Sequence, residues 1–371
     1  MRKIARLVVS LACLVYAAQG PFLGRGASVV FAQISQAEAS AAPIPVKVVL
    51  LTTFEQGADT GDKPGEFQFW VEREHLDRVL PFPGGVHPLR TNADGSILGV
   101  VTGMTIGPAA ASVMALGMDP RFDLSHAYWL LAGIAGVDPE AASVGSAAWA
   151  KWVVTDIRQE IDPREAPKDW PYGIFAIGST RAGASPEPNR AWGTEPRAYP
   201  LNAALVDWAF HRTKDTPLDI PIVDTPEVAA FRATYTGFPN AQKPPFVLIG
   251  DVLASDSYWH GAILTHWAED WVRIHTHGQG HFTMTAMEDS GVAEALSRLD
   301  RMHRADFRRF LVLRTASNYS EQAPGHDAAE SLTAPYIGSI PALEAAYRVG
   351  SPVVHTLIAH WSQYRDHLPG E

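Results

Sequence analysis

The sequence predicts an α/β fold with a mixed, mostly parallel central sheet, and two patterns support this fold class. Five apolar runs of strand length occur along the chain, with helical patterns between them. Strands that are apolar at every position are typical of parallel sheets covered by helices on both faces. Each run also ends in a Gly-rich or polar cluster. Because ligands bind beyond the carboxyl ends of the strands in such sheets, we expect a binding site at that edge.

The N-terminal residues have the pattern of a secretory signal. Basic residues precede the apolar run 7–18, and this run is too short to span a membrane comfortably. Cleavage fits after Ala17 or Ala32, and Ala32 fits better because an Ala-rich linker follows it. A periplasmic or secreted location is therefore expected. The predicted organisation is a signal peptide at 1–32, a linker at 33–45 and one α/β domain at 46–371.

The apolar runs give the expected strands in chain order. They cover residues 46–51, 97–101, 127–131, 246–249 and 310–313. Pro108 marks the first turn of a helix that follows the second run. Residues 162–245 are rich in Pro, Trp, Arg and Asn, which indicates long connections over the sheet, with helices at 201–212 and 226–235.

The stretch TAMEDSGVAEAL, residues 285–296, indicates the start of a further helix. Thr285 and Glu288 have the spacing of a capping box, in which each side chain accepts a hydrogen bond from a backbone N–H group at the helix start. Small and apolar residues follow at helical spacing and predict a face against the core. In this interpretation Glu288 has only a structural role.

Composition excludes several function classes. Acidic residues exceed basic residues by ten among 371 residues, and no large basic cluster occurs, so nucleic acid is not an expected partner. The single cysteine, Cys13, lies in the predicted signal, so disulfides and thiol chemistry are not expected in the mature protein. His275, His277 and His281 lie near metal-ligand spacing, but they lack an adjacent Cys or carboxylate, and we predict no metal site. No stable membrane insertion is expected after signal removal.

Three segments together resemble the nucleoside phosphorylase superfamily, which includes purine nucleoside phosphorylases and methylthioadenosine nucleosidases. They are GVVTGMTIGPAAASV, AYWLLAGIAGVDP, and TAMEDSGVAEAL taken with FLVLRTASNYS. Together with the block DSYWHGAILTHWAEDW and the signal, they are most similar to the branch called purine nucleoside permeases. The resemblance implies a nucleoside phosphorylase-like three-layer αβα fold with a mixed, mostly parallel central sheet.

The resemblance also implies roles for residues on the sugar and base sides. In the superfamily a Met-Glu pair lies at the ribose, so Met287 would contact the sugar and Glu288 would accept from its 2′- and 3′-hydroxyls. Asn318 matches the position of an Asp that protonates or hydrogen-bonds purine N7 in many members. An amide donates a hydrogen bond there but delivers no proton. Ser317 and Asn318 are the expected base contacts, and the Asn318 amide predicts a preference for 6-oxopurines such as inosine or guanosine over adenosine.

The nucleophile side is expected to be lined by Thr105, Gly133 and Gly136. Phosphate-binding relatives commonly carry a Ser where Ile134 falls, so the expected loop at 133–136 offers only backbone N–H groups to an anion. Phosphate is therefore left open as a co-substrate, and water is the alternative nucleophile. Glu55, at the end of the first strand, would orient or deprotonate that water, which makes Glu55 and Asn318 the candidate catalytic residues.

The sequence thus predicts an exported purine nucleoside-binding protein that cleaves the N-glycosidic bond, as a phosphorylase or a nucleosidase. The alternative is a non-catalytic nucleoside-binding component of uptake. No cofactor is expected, apart from phosphate if it is the co-substrate. A homo-oligomer is left open.

Overall fold

The computed structural model describes residues 42–190, 192–193 and 196–371, of which residues 43 onwards form one compact unit. The predicted signal and most of the predicted linker lie outside the described residues. Among the described helices, none combines the length and the apolar character that a membrane span requires.

Most strands belong to one mixed sheet, which has twelve strands in the described part of the chain. In chain order the strands are β1 (Ile44–Pro45), β2 (Val48–Thr52), β3 (Arg78–Leu80), β4 (Leu89–Thr91), β5 (Ile97–Val101), β6 (Phe122–Asp123), β7 (Tyr128–Val137), β8 (Ala147–Trp149), β9 (Trp152–Thr155), β10 (Arg158–Glu160), β11 (Ile174–Ala176), β12 (Ala198–Pro200), β13 (Val247–Ile249), β14 (Asp251–Ala254), β15 (Phe282–Ala286) and β16 (Phe310–Tyr319). The main path runs β12-β9-β14-β15-β7-β2-β5-β4-β3, and β16, β8 and β13 extend from β7.

The helices cover the sheet in two groups. They are α1 (Gln68–Arg73), α2 (Ile106–Gly117), α3 (Ala203–Thr213), α4 (Pro226–Ala233), α5 (Ala262–His275), α6 (Asp289–Arg301), α7 (Ala328–Leu332), α8 (Ser339–Ala359) and α9 (Trp361–Tyr364). Helix α8 packs on β7 and β16 and contacts α1 and α3, whereas α2 and α6 pack on each other and α6 contacts β9 and β14. The predicted three-layer αβα fold with a mixed central sheet is confirmed.

The two longest strands, β7 and β16, run parallel and pair along almost their whole length. The expected loop at 133–136 is therefore wrong, because these residues continue β7. Glycine is needed there for close approach rather than for a turn: a Cβ at Gly136 would lie 2.7 Å from the Thr285 Cγ2 atom. Beyond Ala316 the pairing register shifts by one residue, which forms a bulge beside Asn318.

The other edge of β7 is divided between two strands. Strand β2 pairs with Tyr128 to Leu131, and β15 pairs with Gly136 and Val137. Between these two partners β7 has an edge that no strand covers in the described structure. Such a divergence of neighbouring strands is where open α/β sheets form ligand crevices.

The predicted capping box is also wrong. Thr285 lies in β15, where it pairs with Gly136 and Leu253, so it cannot start a helix. Helix α6 begins at Asp289, and Glu288 stands at its N-cap without a side-chain capping bond. The Glu288 carboxylate is therefore available for another role.

Candidate functional site

A cavity of about 440 Å³ opens where β2 and β15 diverge along β7. Residues at the carboxyl ends of β2, β15 and β16 line it, as do the loops around Tyr258 and Tyr336. Met287, Glu288 and Asn318 all face this cavity, although the chain brings them from separate elements. The predicted sugar and base residues therefore meet in one place.

One arginine and three carboxylates form a buried cluster, of which Glu66 and Glu288 line the floor of the cavity. The Arg314 guanidinium donates to both oxygens of Asp289, at 3.1 and 2.7 Å, and to Glu288 Oε2 at 2.9 Å. Its Nη1 donates to the Ile134 carbonyl at 3.1 Å and lies 3.8 Å from Glu66 Oε1. All four charged side chains are at most 6% exposed. Because carboxylates outnumber the cation in a buried place, ionising all three is unfavourable.

Glu66 is the floor residue that the sequence analysis missed. Its carboxylate accepts hydrogen bonds from the Thr53 backbone N–H at 2.6 Å, the Thr53 hydroxyl at 2.8 Å and the Ile134 N–H at 2.7 Å. Burial raises the pKa of Glu66 to about 7, against the lowering effect of Arg314, and Glu288 raises it further. A carboxyl group with such a pKa exchanges protons readily near neutral pH. Its only sequence signal is an acidic residue next to an aromatic run.

Glu55 does not reach the cavity, which corrects its predicted catalytic role. Its carboxylate accepts from the backbone N–H groups of Gly65, Phe67 at 2.9 Å and Gln68 at 2.7 Å. These bonds satisfy the carboxylate and hold the loop at the start of α1. Because Gly65 and Phe67 flank Glu66 in the sequence, Glu55 positions Glu66 and does not itself line the cavity.

Glu288 is held from two sides while it faces the cavity. Its Oε1 accepts from the Thr105 N–H at 3.3 Å and its Oε2 from Arg314. Burial raises the pKa of Glu288 and Arg314 lowers it. Thr105 has a left-handed backbone with a φ of 75°, which is rare outside glycine. Thr105 therefore orients Glu288 through its backbone, and its neighbour Met104 lines the cavity.

Asn318 lines the same cavity and lies beside the bulge in β16. Its amide nitrogen donates to the Tyr319 carbonyl at 2.9 Å and to the Tyr258 hydroxyl at 3.2 Å. Its oxygen lies 3.2 Å from Ser317 Oγ and 3.3 Å from Tyr336 Oη. Ser317 lies behind Asn318, where its hydroxyl bonds the Ala135 carbonyl at 2.9 Å. Tyr336 carries no motif, and Tyr258 lies in the block DSYWHGAILTHWAEDW, but neither was assigned to the site from the sequence.

The expected anion-binding groups do not form an open anion site. Gly133 lies under the Arg314 and Glu66 side chains, which a Cβ at this position would meet. Gly136 lines the cavity, but it does so next to Asn318 rather than on a separate nucleophile side. The backbone donors around the floor bind carboxylates instead: Ile134 N–H binds Glu66, and the N–H of the first α2 residue binds Asp256 at 2.8 Å.

The histidines of the segment 275–281 lie elsewhere. The His275 ring packs edge-on against Trp271, with 4.6 Å between ring centroids, and burial lowers its pKa to about 4. In the residues that the structure describes, no group of three His, Cys, Asp or Glu side chains is arranged to hold a metal ion.

Comparison with known proteins points to one family. The family model described as purine nucleoside permease matches residues 45–369. A probable purine nucleoside permease of Schizosaccharomyces pombe is 29% identical over 299 residues, which cover 78% of this chain and 82% of that protein. A purine nucleoside permease of Candida albicans is 28% identical over 302 residues, covering 79% of this chain and 72% of that protein.

A solved structure resembles the fold. The 5′-methylthioadenosine/S-adenosylhomocysteine nucleosidase of Neisseria meningitidis, crystallised with methylthio-immucillin-A, superposes with a TM-score of 0.50 and 12% sequence identity. The match covers 84% of this chain and 99% of the nucleosidase. At that identity the likeness concerns the arrangement of helices and strands.

Proposed function

Because this chain belongs to the purine nucleoside permease family, we propose that it binds a purine nucleoside in the cavity between β2 and β15. The observation that carries the proposal is the placement of Met287, Glu288 and Asn318 around one cavity with the buried Glu66. Glu288 would accept hydrogen bonds from the two vicinal ribose hydroxyls, since each of its oxygens has further acceptor capacity. Met287 would contact the apolar face of the sugar.

We propose further that the protein cleaves the N-glycosidic bond with water. The Glu66 carboxylate would take a proton from a water molecule as the water oxygen bonds to ribose C1′ and the C1′–N9 bond breaks. The electron pair of that bond leaves with the purine. Water is favoured over phosphate because carboxylates occupy the backbone donors at the floor, and a phosphate would meet their negative charge.

The leaving purine receives no proton from Asn318, since an amide is not an acid in this pH range. Departure of the base would then depend on hydrogen bonds to the purine and on protons from solvent. This feature favours a second candidate function, in which the protein binds nucleosides for uptake without cleaving them. The names of the two curated relatives point in the same direction.

The decisive experiment is incubation of the purified mature protein with adenosine, inosine and guanosine, with and without phosphate. We expect free base and free ribose in the absence of phosphate. Formation of ribose 1-phosphate only when phosphate is present would contradict the water mechanism, and binding without base release would support the uptake function. Glu66→Gln should abolish cleavage while retaining binding. Glu294→Gln, which changes a carboxylate paired with Arg298 outside the cavity, is the matched control.

A further inference from the structure

The Asn318 amide nitrogen has no free N–H group for a ligand. The Tyr319 carbonyl can only accept, so the amide atom 2.9 Å from it is the nitrogen, which fixes the orientation of the group. The second N–H donates to the Tyr258 hydroxyl at 3.2 Å. Ser317 Oγ and Tyr336 Oη lie 3.2 and 3.3 Å from the amide oxygen. Asn318 therefore offers a base no N–H group of its own.

The protons of these neighbours have defined directions. Ser317 lies 2.9 Å from the Ala135 carbonyl, and a carbonyl accepts only, so the Ser317 proton is used there. In the short contact between Ser317 and Tyr336, the tyrosine must then be the donor. The Tyr336 proton points towards Ser317 and Asn318, which leaves its oxygen able to accept from the cavity.

The hydrogen bonds of the Tyr258 hydroxyl run in the opposite direction to those of Tyr336. Its oxygen accepts from Asn318, so its own proton is free, and the described residues provide no other hydrogen-bond partner for it. Both tyrosines line the cavity and are about half exposed, at 59% for Tyr258 and 49% for Tyr336. The two hydroxyls flank one amide group and present one donor and one acceptor to the bound base.

We propose that Tyr258 and Tyr336 contact the purine edge that carries N7 and the 6-substituent, and that they select a 6-amino group over a 6-oxo group. This inference rests on the proposed nucleoside binding. Tyr258 donates to N7, and Tyr336 accepts from the 6-amino group. A 6-oxopurine places an acceptor against the lone pairs of Tyr336 and leaves a buried mismatch, so adenosine should be preferred over inosine by roughly tenfold or more. The preference is opposite to the one predicted from the sequence, which assumed a free Asn318 amide.

The test is competition between adenosine, inosine and 7-deazaadenosine, measured as binding or as ratios of kcat/KM where cleavage occurs. The unmodified protein should prefer adenosine over inosine by roughly tenfold or more. Tyr336→Phe should bring the adenosine-to-inosine ratio close to one. Tyr258→Phe should weaken adenosine but not 7-deazaadenosine, which has no N7 acceptor. Tyr347→Phe is the control, since its hydroxyl bonds Glu74 away from the cavity.

The possible failures are distinguishable. A preference for inosine in the unmodified protein, or an unchanged ratio in Tyr336→Phe with folding verified by thermal melting, would overturn this inference while nucleoside binding stands. If none of the nucleosides binds or reacts, the proposed function itself is refuted, and the inference falls with it.

Discussion

At the scale of single residues, Glu288 is a carboxylate that the fold holds in place and that would also bind the proposed ligand. Arg314 and the Thr105 N–H fix its two oxygens, and both oxygens still have acceptor capacity towards the cavity. The ion pair keeps the group oriented before a ligand arrives. Orientation in advance lowers the entropy that binding must overcome.

Glu288→Gln should weaken ribonucleoside binding by roughly 1.5–3 kcal/mol, the range for hydrogen bonds to a charged group. A 2′-deoxynucleoside should lose much less, because it lacks one of the two hydroxyls. Calorimetric titration with adenosine and 2′-deoxyadenosine checks this, with Glu294→Gln as the control. Equal losses for the two ligands would count against the ribose role.

Glu66 should make the protein less stable as the pH rises. Its folded pKa of about 7 exceeds its ordinary value of 4.5, so between these values the native state holds a proton that the unfolded state has released. The contribution of Glu66 to stability is then fully present below pH 4.5 and is lost as the pH rises through about 7, by on the order of 3 kcal/mol. Glu66→Gln should remove this loss.

The measurement is chemical denaturation of both proteins at pH 5 and pH 8. We expect Glu66→Gln to gain stability relative to the unmodified protein between these two values. Asp138, whose pKa burial also raises to about 7, is present in both proteins and cancels in the difference. A difference that does not change with pH would mean that Glu66 titrates normally.

Residues with a family motif could be located from the sequence, and residues without one could not. The family resemblance implied that Met287, Glu288 and Asn318 lie at one site, and the convergence of strand ends at a sheet edge agrees with it. Glu66 and Tyr336 reach the same cavity through loops, whose conformation depends on contacts far along the chain. Glu55 illustrates the limit, since a strand-end position alone does not say which way a side chain points.

At the scale of elements, β16 carries Arg314, whose positive charge compensates the buried carboxylates beside the cavity. Arg314 is 1% exposed and lies against three carboxylates, so its removal leaves buried charges uncompensated. Arg314→Met should therefore destabilise the protein by about 3–5 kcal/mol. Arg298→Met, which breaks an exposed pair with Glu294, should cost about 1 kcal/mol or less.

Thermal and denaturant unfolding of the two arginine variants provides the comparison. Similar losses in both would show that Arg314 is not essential to the buried cluster. The sequence predicted the strand that bears Arg314 but stopped it at residue 313. The actual strand continues because β7 pairs with it through the glycines at 133 and 136, where the sequence pattern indicated a loop.

At the scale of the whole molecule, the fold class was predictable because long apolar strands leave few alternatives. The order of the strands was not, since the division of one β7 edge between β2 and β15 depends on pairings between distant residues. The cavity is a product of that division. Its position at strand ends was expected, but its carboxylate-lined floor was not.

The export signal remains a prediction for the intact chain. Expression with the native N-terminus in a secreting bacterial host should yield a mature protein that starts at Gln33, or at Ala18 if the earlier site is used. N-terminal sequencing and intact mass of the extracytoplasmic fraction check this. Retention of residues 1–32 in that fraction would contradict the predicted signal peptide, and replacement of Ala32 by a bulky residue provides the control for the preferred cleavage site.

The surplus of carboxylates around Arg314 has a consequence for which nucleosides and nucleotides the protein can accept. A nucleoside 5′-monophosphate carries about two negative charges into a chain whose acidic residues already exceed its basic ones by ten. Because charges in a buried site are poorly screened by salt, the repulsion persists at physiological ionic strength. If nucleosides bind there as proposed, this charge should favour neutral nucleosides over their phosphorylated forms.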